Sequence, residues 1–219
     1  MYKYLKKKYA DQLFNENIIR IGTLNWYKDM EKENKGRADP LEGTYEDLLT
    51  ITGTGEDYYS NSVFRQNVAE FIHFEPSARA TSIKNLKIVT LRESPNYLIF
   101  CSAHTKSVNV LKQFKGADTC FHIYKPDTFF QLITWALEKQ FQQPVKFLGV
   151  HPVSYKPFRR ERSAIDLEAH IHPVLAKTEE FEPQCELRGI WEIPQHLITK
   201  PYYDLQIPGL RKFCRIVDL

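Results

Sequence analysis

An α+β fold with a mostly antiparallel sheet and flanking helices is what this sequence predicts, and three observations carry that expectation. Strand-like runs recur along the whole chain, among them IIRIGTLNWY, NYLIFCSAH, TCFHIYKP and VKFLGVHPVSY. One long helix stands out, DTFFQLITWALEKQF, opened by Pro126 and Asp127. No internal repeat and no low-complexity linker divides the sequence, so its 219 residues are expected to form a single domain spanning 1–219.

Taken in order, the chain opens with a short strand, MYKYL. KKYADQLFNEN follows with helical spacing that puts Tyr9, Leu13 and Phe14 on one stripe, and Asn15 and Asn17 are its stop signals. IIRIGTLNWY alternates again, completing a strand, helix, strand opening. Residues 28–44, including KENKGRADPLEG, are polar and rich in turn formers and are expected to be a long loop. Strands or hairpins are expected from Tyr45 to Phe74, with ITGTGED as a turn, whereas residues 75–87 fit no single pattern. NYLIFCSAH is an apolar strand ending in small polar residues. TCFHIYKP is another, followed by the long helix and by the strand VKFLGVHPVSY. RRERSAIDLEAHI is expected to be helical. FEPQCELRGIWE alternates as a strand, and HLITKPYYDL and the tail complete the chain.

Hydrophobic residues make up 42% of the chain and charged ones 26%, which places it among globular rather than disordered sequences. A net charge of +3 is too small to indicate nucleic-acid binding by itself. The charge is uneven, with Lys3, Lys6, Lys7 and Lys8 at one end and Lys156, Arg159, Arg160 and Arg162 in KPFRRER. Cys101, Cys120, Cys185 and Cys214 are far apart, with no CxxC pair; most lie in apolar runs, where reduced buried thiols are expected. MYKYLKKKY lacks the apolar stretch of a signal peptide, and no run approaches the roughly 20 apolar residues of a membrane span. A cytoplasmic location without membrane contact is expected.

The sharpest chemical signal is in FEPQCELRGIWE. Side chains two apart on a strand point the same way, so Gln184, Glu186 and Arg188 share one face while Cys185 and Leu187 take the other. A carboxylate there can accept hydrogen bonds from a ribose hydroxyl and favour positive charge developing on the adjacent sugar carbon. A neighbouring glutamine can orient a nucleophile. The structural alternative is a Glu186 that merely pairs with Arg188 or a cross-strand lysine.

The order of three short motifs resembles the ADP-ribosyltransferase fold, especially its bacterial toxin-like and defence-associated branches. They are the strand–helix–strand opening MYKYL, KKYADQLFNEN, IIRIGTLNWY; the central strand ending in serine, IFCSAHT; and Q-C-E on a later strand. The resemblance implies a split β-sheet core. It implies that Glu186 grips the nicotinamide ribose of NAD and that Gln184 helps select the acceptor, as the catalytic pair. It implies cofactor contacts from Ser102, bracing the NAD-binding strands, from Tyr4 near the nicotinamide end, and from Arg20. Lys3-Tyr4 stands where the histidine–tyrosine version of the family has its His-Tyr pair.

GRADPLEG holds Arg37 with Asp39 and Glu42, which suits either a pyrophosphate clamp or a turn built on Asp39-Pro40. The histidines show no triad spacing. The HIH pair at 170 and 172 has nothing nearby to complete a metal-ligand set, so no metal is expected. The expected function is therefore an NAD-dependent ADP-ribosyltransferase that uses NAD as co-substrate and modifies a nucleic acid or protein. As a toxin or phage-defence effector it would need a neutralising antitoxin partner. The alternative is a non-catalytic nucleic-acid or protein-binding module. Basic clusters interleaved with Tyr2, Tyr4, Tyr9, Tyr155 and Phe158 suit a nucleic-acid strand.

Overall fold

A computed structural model describes residues 1–33, 41–166 and 171–219, with the side chains of 30–33 left out. The opening follows the sequence reading as far as residue 23. Strand β1 (Tyr2–Leu5) leads into helix α1 (Lys7–Asp11), which continues as a π-turn to Glu16. Asn17 ends it in the left-handed region at φ 59°, a conformation asparagine tolerates, and β2 (Ile18–Thr23) begins. The next segment departs from expectation. Residues 24–27, expected to continue the strand, and 28–33, expected to be loop, belong to α2 (Leu24–Glu33), whose start is capped by the Thr23 hydroxyl accepting from the Trp26 N–H at 3.0 Å. Residues 34–40 lie outside the described residues.

β3 (Thr44–Thr54) is a strand as expected, but the turn and hairpins expected after it are helices α3 (Gly55–Ser60) and α4 (Ser62–Val68). Thr54 and Asp57 form a capping box, and the Asn61 side chain caps α4, so two local caps override the turn-rich composition. β4 (Ser82–Glu93), β5 (Leu98–Ala103), α5 (Val108–Gln113), β6 (Thr119–Ile123), α6 (Pro126–Phe141), β7 (Lys146–Pro152) and β8 (Ser154–Tyr155) follow. RRERS, expected in a helix, is strand β9 (Arg159–Ser163), parallel to β3. Partners distant in sequence hold it there, through Arg159–Glu46 at 2.7 Å and Arg162–Asp47 at 2.8 Å. β10 (Ala176–Lys177), β11 (Glu186–Glu192), β12 (Tyr202–Gln206) and β13 (Cys214–Ile216) complete the strands.

β5 organises the main, antiparallel sheet. One of its edges pairs with β11 along its whole length, from Leu98↔Trp191 to Ala103↔Glu186, and β7 lies beyond β11. Its other edge is shared. β2 pairs only near one end, at Gly22↔Ile99 and Thr23↔Leu98, and β1 only at the other, at Tyr2↔Ala103. β2 continues to β12, and β1 to β6 and then β13. The two flanks therefore splay from one strand and leave a gap beside residues 100–102. A smaller sheet, β4-β3-β9, packs with α3 and α4 around Leu49, Ile51, Phe64 and Val68, and β8 pairs with β10 in parallel.

Helix α6 covers one face of the main sheet. Phe129, Phe130, Ile133 and Leu137 recur at helical spacing and are buried against Leu98, Phe100 and Trp191. The Trp191 indole N–H donates to Thr134 Oγ1 at 2.8 Å, so its polar handle is satisfied. Gly189 lets helix and strand approach: a Cβ there would lie 2.4 Å from Phe130 Cε1. Gly189→Ala should lower stability by about 1–3 kcal/mol through overpacking, read as a reduced urea midpoint. An unchanged midpoint would mean that this contact is loose.

Candidate functional site

Leu187, Gly189 and Trp191 pair with Ser102, Phe100 and Leu98 on the α6 side, so Glu186, Arg188 and Ile190 occupy the opposite face. Gln184 is not on the strand. It ends a 3-10 turn, and Cys185, at φ 48°, turns the chain before the strand starts at Glu186. Gln184 and Glu186 still meet, because Lys177 on β10 reaches both. Its Nζ donates to Gln184 Oε1 at 2.9 Å and to Glu186 Oε2 at 3.0 Å. The other carboxylate oxygen of Glu186 accepts from Arg188 Nε at 2.8 Å, and its backbone N–H donates to the Tyr155 hydroxyl at 2.7 Å. Arg188 is completely buried; it also donates to the Val174 carbonyl and to Glu42 Oε1.

Two cations and two carboxylates thus form a closed, charge-balanced cluster, and the pKa directions reflect it. Burial pushes the Glu186 carboxyl up, but Arg188 and Lys177 outweigh it and hold the group below the usual carboxylate range. Burial alone would discharge Lys177, yet Glu186 and Glu42 hold its pKa above the usual lysine value. Burial raises the Cys101 thiol, with Glu186 adding to the effect, so Cys101 is a neutral thiol here. Within the cluster, Glu42 Oε2 is buried with no hydrogen-bond partner among the described residues.

The cluster borders a cavity of about 190 Å³ that occupies the gap in the sheet. Lys3 and Tyr4 from β1, Arg20 from β2, and Phe100, Cys101 and Ser102 from β5 line it, as do Tyr27, Glu42, Lys177, Gln184 and Glu186. Five of the six residues expected at a site therefore converge: Glu186, Gln184, Tyr4, Arg20 and Ser102. The sixth, Arg37, and its neighbour Asp39 lie outside the described residues. Glu42, from the same segment, is paired with Arg188 inside the cluster.

Local contacts fix what each can offer. The Tyr4 hydroxyl donates to the Thr105 carbonyl and accepts from the Ser107 N–H, both at 2.8 Å, leaving its ring to face the cavity. Ser102 Oγ donates across to the Leu187 carbonyl at 3.3 Å, joining β5 to β11. Arg20 is held by Asp204 in a two-pronged pair at 2.7 and 2.8 Å and lies over the Tyr202 ring at 3.7 Å, so its charge is largely spoken for. Lys3 reaches into the gap, donating to the Cys101 carbonyl at 2.5 Å.

Two members of the ionic cluster escaped the sequence reading, Lys177 entirely and Glu42 except as part of a possible pyrophosphate clamp. LAKTEE has no periodicity that would flag a buried lysine, and Glu42 was hidden in a turn-rich run. His172 caps a short turn, its Nδ1 accepting from the Val174 N–H at 3.3 Å, and His170 lies outside the described residues. Among the described residues no helix is long and apolar enough to cross a membrane. Comparison with protein-family models, curated proteins and solved structures finds no match.

Lys177→Ala leaves a buried carboxylate and amide without their shared donor and should cost about 3–5 kcal/mol in chemical denaturation. A loss below about 1 kcal/mol would contradict the cluster's role. The pH dependence has a defined sign. Glu186, with its pKa held below the ordinary 4.5, contributes stability above that pH and loses it as pH falls further. Lys177, raised above the ordinary 10.5, contributes fully below that pH and loses it as pH rises beyond. The penalty of Lys177→Ala should therefore be constant between these limits. A penalty that vanished near neutral pH would overturn the assignment.

Proposed function

We propose that the cavity takes NAD and that the chain is an ADP-ribosyltransferase, its divided sheet being of the ADP-ribosyltransferase type. One observation carries the reading. Five residues expected at the site, from four separate parts of the chain, line one cavity in the gap between β1 and β2.

The donor set fits the substrate. Tyr4, Tyr27 and Trp26 offer ring faces for a nicotinamide, and Lys3 and Lys6 offer positive charge for a pyrophosphate. In the reaction the bond between the anomeric carbon and the nicotinamide nitrogen breaks, and its electron pair leaves with nicotinamide. A lone pair of the acceptor forms the new bond to that carbon, and the acceptor's proton passes to solvent. Glu186 accepts from the ribose hydroxyl with a remaining lone pair and stabilises the electron-poor sugar. Lys177 holds the Gln184 carbonyl oxygen, which leaves the amide nitrogen to orient the acceptor.

A second reading, a non-catalytic binding module for nucleic acid or protein, draws on a different observation. Both Glu186 oxygens already accept from cations, as a purely structural carboxylate's would. Nicotinamide release and acceptor labelling by the wild-type protein separate the two. Glu186→Gln should lower turnover per folded molecule by about a hundredfold or more. It also removes the counter-charge of two buried cations, so folded fraction is measured on the same preparation. Gln184→Ala should impair transfer more than hydrolysis of NAD. Wild-type protein that neither binds nor consumes NAD leaves the binding module in place.

A further inference from the structure

The basic residues at the cavity mouth differ from KPFRRER in one physical respect: among the described residues no ion pair ties them up, and Lys8 meets only the Tyr9 ring, at 4.9 Å. In KPFRRER, Arg159 pairs with Glu46, Arg162 with Asp47, and Arg160 lies over the Tyr45 ring at 4.1 Å. That cluster is spent on holding β9 against β3, which removes it as a phosphate-binding surface. Lys6, Lys7, Lys8, Lys106, Lys112 and Lys115 are all exposed, and none makes an ion pair among the described residues.

These six lysines come from two segments fastened to each other. Thr105 and Ser107, on either side of Lys106, both hydrogen-bond the Tyr4 hydroxyl at 2.8 Å. Phe114, between Lys112 and Lys115, stacks on Tyr4 with ring centroids 5.7 Å apart, and like Lys6 it lines the cavity. The Lys7 N–H donates to Asp118 at 2.5 Å. Residues 1–17 and 104–118 hold seven lysines against Asp11, Glu16 and Asp118, a surplus of four, while the whole chain carries +3. The remaining residues sum to minus one, so these two joined segments, which meet at the cavity-lining Tyr4 and Phe114, carry the whole net positive charge of the chain.

We propose that this rim seats the phosphates of a single-stranded nucleic acid, and that a nucleotide of that strand is the acceptor of the transfer. The seating stands on the charge distribution alone; the identity of the acceptor rests on the transferase reading. A single strand fits because the acceptor atom has to reach the buried Glu186 region, and a base locked in a duplex cannot present its edge there without leaving the stack. Phe114 supplies a ring beside the cavity, a sequence-tolerant contact suited to unpaired bases. The new bond joins the anomeric carbon to a base nitrogen or hydroxyl oxygen, which gives up its proton to solvent.

The test uses fluorescently labelled 20-nucleotide single-stranded RNA and DNA, titrated without NAD at several salt concentrations. Wild-type protein should bind at least one of them, with log affinity falling linearly against log salt. Removing three lysine–phosphate contacts should reduce that slope by about 2. Two variants are made separately, Lys6→Gln with Lys7→Gln and Lys8→Gln, and Lys106→Gln with Lys112→Gln and Lys115→Gln, so a folding failure of one leaves the other. Both should bind more weakly, whereas Lys156→Gln should match wild type. No binding at low salt, triple variants equal to wild type, or preference for anionic phospholipid vesicles overturns the inference. So does labelling of added protein in preference to the oligonucleotide. Nucleic-acid binding without any NAD consumption upholds the seat and defeats the transferase reading.

Discussion

Arg188 is the constraint around which the site is built. A guanidinium with no exposed surface is tolerable only if its donors find acceptors and its charge finds partners. It draws those acceptors from three places: Glu186 on its own strand, Glu42 just before β3, and the Val174 carbonyl just before β10. Satisfying Arg188 therefore fixes where three otherwise separate segments meet. Lys177 is carried in on the segment that follows Val174 and completes the balance by engaging Glu186 and Gln184. Removing any member leaves charge or polarity buried without compensation, which is why the cluster behaves as a unit rather than as four contacts.

The second constraint is the divided edge of β5. A strand edge normally meets one partner; here β2 and β1 each take one end, and the middle is left beside a cavity. Backbone groups in such a gap need other partners, and the Lys3 ammonium supplies one for Cys101. The gap and the ionic cluster are neighbours because both are built on the β5–β11 pair. This adjacency gives the cavity a charged wall, aromatic sides and a basic entrance. The recognition chemistry proposed for it follows from those three features.

What could be read in the sequence was local. The opening strand–helix–strand, the apolar strand Leu98–Ala103 and the helix Pro126–Phe141 announce themselves through periodicity and caps. Glu186 was visible because a carboxylate and a guanidinium on one strand face demand a reason. Misread segments share a different property, in that their state is decided by few residues or distant ones. ITGTGED looks like a turn until Thr54 and Asp57 are recognised as a capping box, a signal present in the sequence. RRERS has the composition of an exposed helix, and its pairing with β3, with ion pairs to Glu46 and Asp47 more than a hundred residues earlier, makes it a strand. Lys177 could not be assigned, since its significance lies wholly in the two side chains it bridges.

The central claim is that NAD enters the gap between β1 and β2. Backbone amide NMR on isotope-labelled protein, titrated with NAD, tests it without depending on turnover or on any acceptor. The account predicts the largest shift changes in residues 2–5, 98–103 and 184–188, with residues of the β4-β3-β9 sheet unaffected. Changes confined to that smaller sheet, or none at millimolar NAD, would contradict it.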